Sequence, residues 1–598
     1  MNADSLQGMI DRVKAGRLSR RGFIRRMAVL GLAAPLANQL LAIGGVAMAE
    51  TPTFDYKPTK RGGGGTLKLL WWEAPTLLNP NFAVGTKDQD GSRLFYEPLA
   101  AWDNDGNLKR VLAAEIPSRQ NGGLAADGKS VVWKLKQGVN WHDGQSFTAD
   151  DCVFTWQYCA DPQTAAVTSG SYNTIKVEKV DDYTIRVLFP DPRPFWADAF
   201  VANNCIIPKH LFAPYIGAKS RQAPWNLKPV GTGPYKFKSF TPGDLVQGVI
   251  NTDYHEPDRP FFDAVDMKGG GDATSAARAV LETGEYDYAW NLQVEWTLLQ
   301  NMEKAGKGHV MMTAGSSIEH IQCNFSDPNK EVDGQRSSVT TKNPTLSDPV
   351  VRQALSLLCD RGGVQKYIYG ETGSTTANFI NGPAPFVSHD TKWEYNIQKA
   401  ADLLEQNGWK PGPDGIRQKN GVRLSWLYQT SINQPRQETQ QVIKQACQKA
   451  GIEVRLKAIL ASVYFSSDTG NDETYPKFYA DIQMYTTNPP DPDPGEWMRQ
   501  FLSTEVAQKD NKWQGRNITR WQNPDYDKLW DASTKELDPV KRAAMFIKMN
   551  DMVVDNVVVV PLIFRKNVGA GVNALRAPLS GWDNDTWDLP NWFMQVQA

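Results

Sequence analysis

The stretch GLAADGKSVVWKLKQGVNWHDGQSFTADDCVFTWQY, Gly123 to Tyr158, decides how the rest of the chain is read. Its first eight residues fit G-x-x-x-x-G-K-[ST], a loop that cradles phosphates with backbone N–H groups and a lysine. Such a loop needs a helix opening at its Lys-Ser, because the helix N-terminus holds the phosphate. Here Val132, Lys134 and Lys136 alternate with Trp133, Leu135 and Gln137 directly after Ser130, the period of a strand. Asp127-Gly128 is a hairpin-turn dipeptide. The octet therefore reads as a turn between strands, and nucleotide binding is rejected. A second turn is expected at His142-Asp143-Gly144, then a helix capped by Thr148 or Asp150. The neighbouring Asp150 and Asp151 read as helix-start residues, not as an acid/base pair.

Outward from this stretch, helices and strands alternate. TLKLLWW (Thr66 to Trp72) reads as a buried strand, YTIRVLF (Tyr183 to Phe189) as another, and Val230 to Asn251 as two strands around a Pro-Gly turn. A helix from Ser275 ends at Gly284 and leads to a short strand. Ser347 to Arg361 is a helix capped by Ser347 or Asp348, and Asn396 to Trp409 is a helix closed by Gly408. Arg423 to Ser431 reads as a strand, Arg436 to Ile459 as helix, Gly451 stop and strand, and Asp538 to Phe564 as a long helix feeding a strand. The alternation predicts an α/β architecture.

Lys plus Arg is 65 and Asp plus Glu is 66 in 598 residues, a formal charge of -1 that offers no footprint for nucleic acid. The six cysteines form no C-x-x-C pair and no tight cluster with histidine, so neither a zinc site nor a cofactor is expected. A nucleophile elbow and an H-E-x-x-H helix are both missing, which argues against an enzyme. At the N-terminus, Ser19-Arg20-Arg21-Gly22-Phe23 precedes an apolar run from Met27 to Met48 that is broken by Pro35, Asn38 and Gln39 and ends in Ala47-Met48-Ala49. This is similar to a twin-arginine (Tat) export peptide, so residues 1–49 are set aside from the fold. Cleavage after Ala49, a periplasmic destination and the Tat machinery as a partner are the expectations.

An ordered set of segments carries a family resemblance: FYEPL (Phe95 to Leu99), Asp127 to Trp156, VGTGPYKF (Val230 to Phe237), VRQALSLLCDR (Val351 to Arg361), KAADLLEQNGW (Lys399 to Trp409) and AGIEVRLK (Ala450 to Lys457). Together they resemble the extracellular solute-binding proteins of family 5, the dipeptide and oligopeptide receptors of ABC importers. The resemblance implies a two-lobed α/β fold of the periplasmic binding protein type (class II), working as a monomer that closes on solute and delivers it to a membrane permease. Lobe I would comprise 50–86, 228–315 and 560–598, with an inserted subdomain at 87–227, and lobe II would run over 316–559. It also implies a ligand set. Trp72, Trp290, Asn291 and Tyr428 lie at strand ends that could face a cleft. Tyr485 is the aromatic that precedes, by three residues, the family's ammonium-pairing Asp. This chain has Asn488 there, and Asp491 stands three residues on as its replacement. Asn offers no negative charge to a buried ammonium. A peptide is thus the default ligand, with an oligosaccharide, opine-like compound or metal complex as the alternative.

Overall fold

The computed structural model describes residues 55–595 except 105, 467, 469 and 490, together with scattered positions among the first 26. Eleven strands form one large mixed sheet: β1 (Thr66–Leu70), β2 (Tyr235–Thr241), β3 (Leu245–Ile250), β4 (Ala264–Lys268), β5 (Tyr288–Ala289), β6 (Gly308–Cys323), β7 (Gly373–Thr375), β8 (Ser425–Ser431), β9 (Glu453–Ile459), β10 (Ile482–Thr487) and β11 (Val559–Val572). Their order is β9-β8-β10-β6-β11-β5-β1-β4-β3-β2, with β7 on β11. One half, β9-β8-β10, is parallel and belongs to one lobe; β5-β1-β4 is parallel and belongs to the other. The long antiparallel pair β6–β11 joins them.

The helices start where local chemistry satisfies their free N–H groups. In α1 (Ala149–Ala160) the cap is Thr148: the Asp151 carboxylate accepts the Thr148 backbone N–H at 3.0 Å. Four more helices open on Asp or Asn caps, α2 (Pro349–Leu357) on Asp348, α3 (Ile397–Gln406) on Asn396, α4 (Gln434–Lys449) on Asn433 and α5 (Pro539–Asp555) on Asp538. Gly408 and Gly451 follow α3 and α4 with φ of 87° and 82°, the left-handed turn that only glycine enters freely.

The opening octet is a turn. Gly128 has φ 70°, its N–H meets the Ala125 carbonyl, and Ser130 enters a strand, Ser130–Lys134, that pairs with Thr184–Leu188. No helix starts at Lys129-Ser130. All six cysteines are buried and free.

Apolar residues gather in separate clusters. A single large cluster runs from Leu67 and Trp71 through Trp133 and Phe147 to Cys205 and Trp592, so residues 94–223 share a core with β1 and the C-terminal tail. Another cluster covers one face of the β8-β10-β6 half, and a further one packs around Ile318 of β6 and Val559 of β11. Most of the expected export leader, its cleavage signal included, lies outside the described residues. Phe23, however, is fully buried in the cluster around Phe379, Trp497 and Phe546, with Met9, Val13 and Leu18 packed against it. At these positions the N-terminal segment does take part in the fold, because its apolar side chains find an apolar face to cover.

Three of the signature segments meet at one point. The Gly233 N–H donates to the Phe95 carbonyl at 2.8 Å, and a Cβ on Gly231 would collide with that same carbonyl. His142 binds the same loop: its Nδ1 accepts the Gly231 N–H at 3.1 Å, so Nε2–H donates to the Gly233 carbonyl at 3.0 Å. This needs a neutral ring, and burial holds the His142 pKa down at about 4. His320 is held down to about 4 by burial as well.

Gly231→Ala should cost about 3 kcal/mol in urea unfolding, because backbone must move to admit the methyl group. The unfolded chain takes up histidine protons near pH 6.5 while the fold resists to about 4. The stability contributed by His142 and His320 is therefore present above pH 6.5 and lost as pH falls toward 4, at most about 3 kcal/mol per ring. His142→Gln should remove about half of that slope.

Candidate functional site at the seam between the lobes

The ladder between β6 and β11 has its wide break between Thr313 and Ser317 and a second, smaller register shift between Glu319 and His320. Gly308 to Thr313 pair with Val572 to Asn567, and pairing resumes at Ser317 with Arg565. Before the break β11 is flanked by β5, and after it β6 is flanked by β10. The seam between the lobes lies beside this irregularity.

On the first lobe, β1 runs out at Leu70 into Trp71, Trp72 and Glu73. Trp71 is fully buried; its indole N–H donates to Asp90 at 3.1 Å and its ring stacks on Trp290 at 5.9 Å and 5°. Trp72 is half-buried, and its indole N–H is shared by the Trp290 and Asn291 carbonyls at 3.1 Å each. Asn291 takes φ 51°, and this turn carries Gln293 toward the second lobe. There the Gln293 amide donates to Glu319 at 2.7 Å and to the Tyr369 hydroxyl at 3.1 Å.

Glu319, on β6, is the hub of a buried charge network. Besides Gln293 it accepts from the Thr486 hydroxyl at 2.7 Å, the Tyr369 hydroxyl at 3.2 Å and Arg436 Nε at 3.0 Å. Arg565 donates to the Thr486 hydroxyl at 2.9 Å. Burial pushes the Glu319 carboxyl up, but Arg436, Arg565 and the hydrogen bonds outweigh it, so its pKa is lowered. Arg436 is thus ion-paired with this carboxylate, and Arg565 is linked to it through the Thr486 hydroxyl. Across the seam, burial raises the pKa of half-buried Glu73, opposed by Lys87 and by Arg436 of the other lobe, and its Oε1 has no hydrogen-bond partner.

A second, acidic patch lies where residues 169–198 meet the loop after β10. An added Cβ on Gly170 would come within 2.7 Å of the Arg499 guanidinium, so the two lobes touch here. Asp493 is clamped by Arg542, and Asp198 by Arg193 at 2.9 Å. Asp491, 7% exposed, accepts only a backbone bond, from Asp493 N–H at 2.8 Å, and makes no ion pair. Burial first, then Asp493, Asp198 and Glu496, drive its pKa well above the usual carboxylate range. Among the described residues no group of three or more His, Cys, Asp or Glu could hold a metal, and no helix is long and apolar enough to cross a membrane.

Residues 114–509 match the bacterial extracellular solute-binding proteins, family 5, middle region. The chain belongs to this family. Among similar proteins, the oligopeptide-binding protein AppA of Bacillus subtilis is 30% identical over 405 residues, 66% of this chain and 69% of AppA. Its structure with a nonapeptide superposes with a TM-score of 0.74 at 24% identity, covering 90% of this chain and 100% of that one. NikZ from Campylobacter jejuni in complex with Ni(L-His) gives 0.74 at 21% identity, with 88% and 99% covered. AgaA from A. tumefaciens with agropinic acid gives 0.71 at 18%, with 89% and 99% covered. This family 5 protein accordingly has the two-lobed α/β fold.

The sequence-derived ligand set is only partly gathered by the structure. Trp72, Trp290 and Asn291 form one cluster on the first lobe. Asn488 is exposed and its amide donates within its own loop, to Pro489 O at 3.3 Å. Tyr428 is fully buried in the second lobe's core, with its hydroxyl on Met484 Sδ at 3.3 Å, so no face of it reaches the seam. Tyr485, 6% exposed, accepts a bond from Gln322 at 3.0 Å and packs edge-on to His320. Strand ends placed all these aromatics near the cleft, but side-chain alternation turns Tyr428 the other way.

Glu319, Arg436, Arg565 and Gln293 escaped sequence reasoning. Two signals pointed to them. Glu319 is a charge between Ile318 and Ile321 in an otherwise buried strand. Arg436 sits in the first turn of α4, where a cation opposes the helix dipole and needs a carboxylate nearby. Glu319→Gln leaves two buried guanidinium groups without an anion. It should cost about 3 kcal/mol in chemical denaturation, the usual penalty for breaking a buried pair.

Proposed function

We propose that this chain is the solute-receiving component of an ABC importer, exported to the periplasm by the Tat machinery and acting as a monomer. Its ligand is a peptide or a related small solute bearing a cationic end. The hinge is the break at residues 313–317 of β6 opposite 565–567 of β11, with lobe II bounded near Ser316 and Val559. Solute contacts made by both lobes exist only when the lobes are together, so solute shifts the population toward closure, and the permease reads the closed form.

Asp491 carries the reading. It is a buried carboxyl at the seam without a cation, while its neighbours Asp493 and Asp198 each have an arginine. A solute ammonium is the missing partner. It would be held in place of the exposed Asn488, with Trp72 and Trp290 as the apolar wall.

Calorimetry with a short peptide library tests this. Acetylating the peptide's amino end, or Asp491→Asn, should weaken binding at least thirtyfold, about 2 kcal/mol. The raised carboxyl must ionise to pair, so binding should be tighter at pH 8 than at pH 5.5, and Asp491→Asn should abolish that difference. If neither change matters, the second reading stands. It is a neutral or chelated solute (oligosaccharide, opine-like compound or metal complex) stacked on the Trp72–Trp290 pair, whose rings lie 5.8 Å apart.

A further inference from the structure

Four apolar residues from the start of the chain, Met9, Val13, Leu18 and Phe23, join one cluster of the second lobe. Phe23 is fully buried there, whereas Arg12, Arg17 and Arg26 are exposed. The backbone explains this separation. Met9, Arg12 and Val13 are helical, so Met9 and Val13, four residues apart, share a face. The Arg17 and Leu18 N–H groups both donate to the Arg12 carbonyl, at 2.8 and 3.1 Å, and close that turn. Gly22, Phe23 and Arg26 are helical again. Apolar side chains are thus buried against the lobe and cations left in water, the division of an amphipathic segment lying in a groove.

The receiving face is held together by its own contacts. Phe379 stacks on Trp497 at 4.3 Å and 15° and meets Phe501 edge-on at 5.2 Å. Tyr526, from the helix Pro524–Ser533, donates its hydroxyl to the Met498 carbonyl at 2.6 Å, and its ring packs on Trp521. None of these contacts uses the N-terminal residues, so the face stays apolar when they leave, and an aromatic anchor is what such a face takes best. Reach and concentration favour this occupant over a second copy of the chain. Residues 24–54 join Phe23 to the start of the first lobe, a tether that extended spans about 100 Å. A tether holds its end near the lobe at an effective concentration of up to about 1 mM, well above that of a second chain in dilute solution.

We infer that this face of the second lobe is a docking site for the chain's own N-terminal segment, with Phe23 as the anchor and Met9, Val13 and Leu18 beside it. Arg20 and Arg21 fall between two docked residues, Leu18 and Phe23. Under the export reading proposed above, on which this consequence alone rests, the twin-arginine stretch is presented to the export machinery only when the segment lets go.

Hydrogen exchange on the purified full chain, without solute, tests the docking apart from export. Amides of residues 9–23 should exchange about tenfold or more slowly relative to the free synthetic peptide Ser5–Arg26. This comparison needs no variant. Phe23→Asp should erase the difference, and Phe23→Leu should keep it. In fluorescence anisotropy, labelled Ser5–Arg26 should bind the Phe23→Asp chain with a Kd of about 10 µM and the parent, whose face is occupied, about tenfold more weakly. The inference is overturned if the parent's amides exchange as fast as the peptide's, if Phe23→Asp leaves them protected, if Phe23→Leu exposes them, or if the peptide binds parent and variant alike or binds neither. Protection that rises with protein concentration overturns it too, because the segment would then sit on a second copy. None of these readouts involves export, so the docking and the export reading fail separately.

Discussion

The single ladder between β6 and β11 is the element on which the two-lobed arrangement depends. Buried backbone N–H and C=O groups must be paired, and these two strands satisfy one another over most of their length while serving β5 at one end and β10 at the other. Where the register slips between Thr313 and Ser317, the ladder stops demanding a fixed geometry. A rotation at this place, the proposed hinge, disturbs few hydrogen bonds.

Next to the break lies a cluster of charge that would be costly without its full set of partners. Glu319 holds Arg436 from α4, and shares the Thr486 hydroxyl with Arg565 from β11. It also takes a hydrogen bond from Gln293 on the other lobe. A buried ion pair adds little net stability, but it punishes misplacement of any member. The network therefore fixes the orientation of α4, β6 and β11 relative to one another and sets the edge of the seam. The acidic patch around Asp491 differs in that Asp493 and Asp198 each have an arginine and Asp491 has none, and that asymmetry is the basis of the cationic ligand proposed above.

Three of the signature segments hold one another in place. Gly231 and Gly233 are glycines because the Phe95 carbonyl occupies the space a Cβ would need. His142, Glu97 and Thr232 then tie the three segments together with side-chain bonds. This is a knot in the first lobe.

Local chemistry in the chain was enough for much of the architecture. Alternation after Ser130 identified a strand and dismissed the phosphate loop, caps such as Asp348 and Asn396 sit where the helices begin, and Gly408 and Gly451 end helices through a left-handed turn. These are short-range effects, carried by neighbours along the chain. The site is different. Asp491 acquires its character first from the exclusion of water, then from Asp493 and from Asp198, nearly three hundred residues away. Tyr428 and Tyr485 look alike as strand aromatics, yet one is sealed in the second lobe's core and the other packs on His320. Phe23, part of a segment that reads as a detachable address, is buried against Phe379 and Trp497. Periodicity tells which residues share a face; which face meets water, a lobe or a partner charge is decided by long-range packing, because burial and electrostatics depend on distances that only the folded chain sets.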